Sequence, residues 1–167
     1  METIKIIIFS ILLAVFYGIC HDLVTAHISL EYFTVGHPKV IESESPVNLA
    51  LVWGVIATWW VGLILGVIIS FAARAGKRPK LKLSQIFRPL LSLIGIIAIA
   101  AFVAGILGYV LSKSEVFTLI EGLAVQIEPE KHHLYLTVGW SHGASYLVGI
   151  VGGIVLCLGL WNKRKGL

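Results

Sequence analysis

Four apolar stretches, each long enough to cross a bilayer, leave this chain few folds to choose from. A spanning helix needs roughly 20 predominantly apolar residues to traverse a hydrocarbon core of about 30 Å. Residues 4–26, 47–73, 89–111 and 130–161 meet that requirement, with polar linkers between them. Only 13% of the 167 residues are charged and the mean hydropathy is +0.93, whereas a soluble domain carries about 25% charged side chains. The sequence therefore predicts an all-α integral membrane protein: one domain, folded as a four-transmembrane-helix bundle in contact with the lipid bilayer.

The first stretch also resembles a secretory signal peptide, with its basic start and short apolar core. No small-x-small cleavage site follows it, so a retained span is expected. The net charge of +4 does not indicate nucleic acid, because the charges cluster at the ends of the apolar segments. Ten of the thirteen basic residues (Lys5, Arg74, Lys77, Arg78, Lys80, Lys82, Arg88, Lys163, Arg164 and Lys165) fall on one side of a four-span layout. The positive-inside rule makes that side cytoplasmic and places both termini there, as in a multi-pass protein of a bacterial inner membrane. All six histidines and eight of the nine acidic residues then lie at or beyond the outer face. The two cysteines, Cys20 and Cys157, fall near opposite faces and are not expected to pair.

Trp140 and Trp161 are 21 residues apart, about 31 Å along a helix, and fit the two interfacial belts. Trp53 suits the outer belt of the second span. Trp59 and Trp60 fall near its middle and read as large interior filler, with the wall of a ligand cavity as the alternative. Small residues recur at four-residue spacing in every span: Ser10, Ala14 and Gly18; Gly62, Gly66 and Ser70; Ala100, Ala104 and Gly108; Ser141, Ser145, Gly149 and Gly153. Such stripes let membrane helices approach closely, within one chain, in a homo-oligomer or against a partner membrane subunit. The basic linker 74–88 suits anionic lipid headgroups. Between the third and fourth spans, Val116, Leu119, Ile120, Leu123 and Ile127 follow helical spacing and predict a short amphipathic segment in the outer loop. Glu128-Pro129 reads as the start of the last helix.

Ionisable side chains inside a span are costly and point to function. On the first span the stripe Ser10–Ala14–Gly18 continues on the same face into His21, Thr25 and Ser29, with Asp22 beside them and Tyr17 one residue before Gly18. On the fourth, His132, Tyr135, Gly139, His142, Tyr146, Gly149 and Gly153 fall on one seam. Counting along each helix puts His21, Asp22 and His142 about 24–28 Å above the cytoplasmic boundary, at a common level. His132 and His133 belong to the loop. The expected site is therefore His21, Asp22 and His142, with Tyr17, Thr25, Ser29 and Tyr146 as cavity-lining groups. A second candidate cluster is His27, Glu31 and His37, of which His27 and Glu31 are i,i+4 neighbours.

Imidazole with carboxylate suits zinc or iron. Three such ligands would leave a position for reactive water and allow hydrolysis at the membrane surface, with Asp22 either binding the ion or orienting a histidine. The spacing matches no metalloprotease motif such as HExxH. Two alternatives use the same residues. His21 and His142 could be axial ligands of haem b, or the chain could be a non-enzymatic subunit or small transporter whose polar groups relay protons.

Overall fold

A computed structural model describes residues 1–166 and is all helical, with no strand among them. Four of its helical segments are long and apolar enough to span a membrane, the make-up of a multi-pass membrane protein. They comprise α1 (Glu2–Ile28), the pair α3 (Pro46–Ile56) and α4 (Trp59–Arg74), α5 (Leu83–Lys113) and α7 (His132–Lys163). Two one-turn helices, α2 (Glu31–Thr34) and α6 (Glu121–Ala124), lie in the loops at one end, and a 3₁₀ turn (Pro129–Lys131) leads into α7. Both termini and the 75–82 turn gather at the other end, where Glu2 accepts from the Leu83 N–H at 3.1 Å.

Small residues decide which helices touch. A Cβ on Gly54 would lie 2.6 Å from Ile19 Cα, and one on Gly62 would lie 2.7 Å from Ile11 Cα. Only glycine allows such backbone contact, so α1 lies flush against α3 and α4. The stripe on α5 is offset from the one expected. Ala100 and Ala104 are only half-buried, and the face against α7 carries Ile97, Ala101, Gly105 and Gly108. Trp140 Cβ rests where a Gly108 Cβ would be, 2.8 Å away. Ser141 closes this contact by donating to the Ala101 carbonyl at 3.0 Å.

The second span is broken where a continuous helix was expected. The Thr58 hydroxyl donates to the Gly54 carbonyl, displacing the Thr58 N–H onto Val55 O at 3.3 Å. A threonine hydroxyl competing for the i−4 carbonyl in this way bends helices, and here it separates α3 from α4. Just past the break, Trp59 and Trp60 are 48% and 47% exposed. They are not interior filler; Trp60 instead forms part of the wall of a cavity between α4 and α7.

Two further expectations are corrected. Helix α5 starts at Leu83 instead of Pro89, because the Gln85 side chain caps the Lys82 N–H at 2.9 Å and Glu2 caps Leu83. The 113–133 loop is not an amphipathic helix on the surface. Only α6 is helical before the 3₁₀ turn, Leu119 and Ile127 turn inward under Tyr135, and Val116 and Ile120 are left 64% and 72% exposed. Tertiary burial of two residues outweighs the periodic pattern of five.

The terminal end is locked by Arg164, which is 1% exposed. Its guanidinium donates to the carbonyls of Pro79 (2.7 Å), Ala72 (2.8 Å), Ala75 (2.6 Å) and Arg78 (3.2 Å). Arg74 donates to Leu81 O at 2.6 Å, and Arg78 stacks on the Trp161 ring at 4.6 Å. Arginine's planar fork of donors suits such carbonyl clusters. These three arginines therefore hold protein, and Lys77, Lys80 and Lys82 are the exposed cations of the turn.

Candidate functional site

Helix α1 delivers His21 and Asp22, and α7 delivers His142, because the packing face of each helix continues into these residues toward the loop end. Asp22 and His142 are buried and His21 is half-buried. The rings of His21 and His142 meet edge to face with centroids 4.4 Å apart. His142 Nε2 is 3.2 Å from Asp22 Oδ1, and His142 Nδ1 is 3.3 Å from His21 Nε2. One ligand atom from each of the three lies within 4.8 Å of the others.

Hydrogen-bond logic constrains the protons. A carboxylate oxygen only accepts, so Nε2–H of His142 donates to Asp22. In the neutral ring Nδ1 is then an acceptor, and Nε2–H of His21 supplies its hydrogen. Val138 O also lies 3.3 Å from Nδ1. It becomes a partner only when that nitrogen carries a proton.

Tyr17 stacks on His21 with centroids 5.5 Å apart, and its hydroxyl is 2.8 Å from Ser145 Oγ. Ser145 donates on to Ser141 O at 3.1 Å. Tyr146 lines the cavity with the His/Asp cluster. Thr25 does not. Its hydroxyl bonds the His21 carbonyl at 3.1 Å, and the residue faces a second groove of about 630 Å³ between α1, α5 and α7. Ser29 is also elsewhere, buried and donating to Glu31 at 3.0 Å.

The alternative cluster is dispersed. His27 is exposed and donates Nδ1–H to the Leu23 carbonyl at 2.6 Å. Glu31 holds Lys131 at 2.9 Å as well as Ser29. Burial pushes its carboxyl up, but hydrogen bonds from its own backbone N–H, Lys131 and Ser29 outweigh this and leave the pKa below the ordinary carboxylate value. His37 donates Nδ1–H to Tyr32 O at 2.7 Å. The three thus go to separate partners, because the helix stops at Ser29 and the chain turns before Glu31.

His37 instead joins the first site from above. Its ring lies 4.9 Å from Tyr32 and 4.8 Å from Trp53, and Tyr32 lies 4.6 Å from His142. Burial raises the Tyr32 hydroxyl well above an ordinary phenol. Tyr32, Phe33, His37 and Trp53 therefore roof the cluster, and helical spacing within the spans could not reveal them. The signal lay in the run of aromatic and imidazole residues just past the first span.

Below the roof a cavity of about 480 Å³ descends between α4 and α7. The cluster and Ser145 lie at its top, and its deeper walls are almost wholly apolar, ending at Ile68 and Cys157. Comparisons with family models, curated proteins and solved structures give no match, so function is read from these residues alone.

Proposed function

We propose that this membrane protein has both termini and the 74–88 linker in the cytoplasm and binds a divalent ion, zinc or iron, through His21, Asp22 and His142 near the outer face, in support of hydrolytic chemistry. The observation carrying this reading is the convergence of three ligand-type atoms from two helices. Two imidazole nitrogens on a tetrahedral ion with bonds of 2.0–2.1 Å are about 3.3–3.4 Å apart, and His21 Nε2 and His142 Nδ1 stand 3.3 Å apart. Asp22 would then either supply the third ligand or, keeping the His142 Nε2–H, orient that ring as carboxylates do for ligand histidines. A divalent ion there would supply Lewis acidity and an activated water. Tyr17 and Ser145 offer a hydroxyl pair beside it.

The complete chain from Asp22 through His142 to His21 favours one second reading, a non-enzymatic subunit or proton relay. Haem b fits less well, since the two rings already touch and leave no gap for a macrocycle. Metal analysis of protein purified from metal-replete cells separates the readings. We expect about one zinc or iron per chain, lost in His142→Ala; metal at background in the wild type would refute the site. Orientation is tested with Ser43→Cys and Ser84→Cys. An impermeant thiol reagent should label residue 43 in intact cells and residue 84 only after lysis, and the reverse order would overturn the topology.

A further inference from the structure

The cavity beneath the His/Asp cluster has the dimensions of a lipid tail. It follows α7 from His142 to Cys157, 15 residues or about 22 Å at 1.5 Å per residue. A volume of about 480 Å³ spread over that length gives a mean cross-section of about 22 Å². This accommodates one extended hydrocarbon chain. One leaflet contributes about half of the ~30 Å hydrocarbon thickness, so a tail of ordinary length fits inside.

The cavity also opens sideways. Trp60, Ile64 and Ile68 on α4, and Tyr146, Ile150 and Ile154 on α7, line it while remaining exposed on the surface of the bundle. Each set repeats every four residues, so the two form facing edges of a slot that lipid can enter laterally. Polarity within the cavity matches that of a lipid in the leaflet at the loop end, with polar groups at the top and apolar walls below.

We propose that the cavity binds a single-tailed lipid whose oxygen-bearing head sits among His21, Asp22 and His142 and whose tail lies between α4 and α7. The inference takes the His/Asp cluster as the functional centre and names its substrate class, a long-chain amphiphile of the fatty-acid type.

A palmitic-acid analogue carrying a diazirine in its tail tests this. The full-length protein in nanodiscs is irradiated with the probe, digested and mapped by mass spectrometry, and its metal content is measured on the same sample. The expected result is saturable labelling concentrated in residues 60–68 and 146–157, reduced at least fivefold by excess unlabelled palmitate. Equal labelling of the outward face of α5, at Ile99, Val103 and Val110, which line neither groove, would mean ordinary boundary lipid and would overturn the proposal, whatever the metal content. Concentrated labelling in a metal-free sample would uphold the lipid site and sink only the metal reading. Gly149→Phe should reduce labelling of 150–157 at least fivefold, since a Cβ at Gly149 meets nothing nearer than Ile97 Cδ1 at 3.7 Å and the ring would project into the cavity. Competition in the wild type keeps the test decisive should that variant fold poorly.

Discussion

Replacing Arg164 with alanine removes four hydrogen bonds at once, to Ala72, Ala75, Arg78 and Pro79, from a side chain that is 1% exposed. A hydrogen bond to a charged group contributes about 1.5–3 kcal/mol net, and four of them set an upper bound of about 12 kcal/mol. Water can reach the freed carbonyls at the end of the bundle and recover most of this, leaving a loss of about 3–5 kcal/mol, as for other broken buried charge networks. At 2–4 °C per kcal/mol for a chain of this size, the midpoint should fall by about 6–20 °C. Arg164→Lys keeps the charge but replaces a planar fork with a single ammonium, so about half of the loss should remain. Thermal unfolding in detergent, followed by tryptophan fluorescence, measures both, with Trp161 stacked 5.3 Å from the Arg164 guanidinium. An Arg164→Ala midpoint within about 2 °C of the wild type would refute the lock, and equal losses in both variants would confine its role to geometry.

Gly54→Val should destabilise the bundle far more than Gly149→Ala, because the first forces Ile19 backbone away while the second meets only one side-chain methyl at ordinary distance; the same unfolding assay ranks them, and equal effects would contradict the packing. Glu31 has a lowered pKa, so its contribution is present above the ordinary carboxylate pKa and is lost as pH falls through the lower folded value. Glu31→Gln should therefore flatten the acid limb of a stability–pH curve below about pH 4.5, and an unchanged limb would show that the Lys131 pair contributes nothing.

The spans were legible because the bilayer sets one length and one polarity for every helix. That His21, Asp22 and His142 share a height along the bundle was legible too, since helical rise converts sequence distance into distance along the helix. Their meeting followed from the small-residue faces that lead into them. What sequence periodicity could not show was choice among equivalents. The third span is so rich in Ala and Gly that the stripe at 100, 104 and 108 looks as good as the face at 97, 101, 105 and 108. Thr58 breaks its helix through a side-chain bond that no propensity announces. Arg164 sits among terminal cations that all read as topology signals, and only its approach to the 72–79 carbonyls, far away in sequence, makes it different. Most of the roof over the site, Tyr32, Phe33 and His37, comes from α2 and its flank, a short segment folded back by tertiary contact onto Trp53 of α3.

The ordering of contacts has a consequence for biogenesis. Helix α1 lies against its sequence neighbours α3 and α4, and α5 lies against α7, so each half of the chain can be completed as it leaves the ribosome. Asp22 and His21 belong to the first half and His142 to the second. An inserted but undocked chain contains every site residue and no site. The ion and the amphiphile proposed above would therefore have no place to bind until the two halves close.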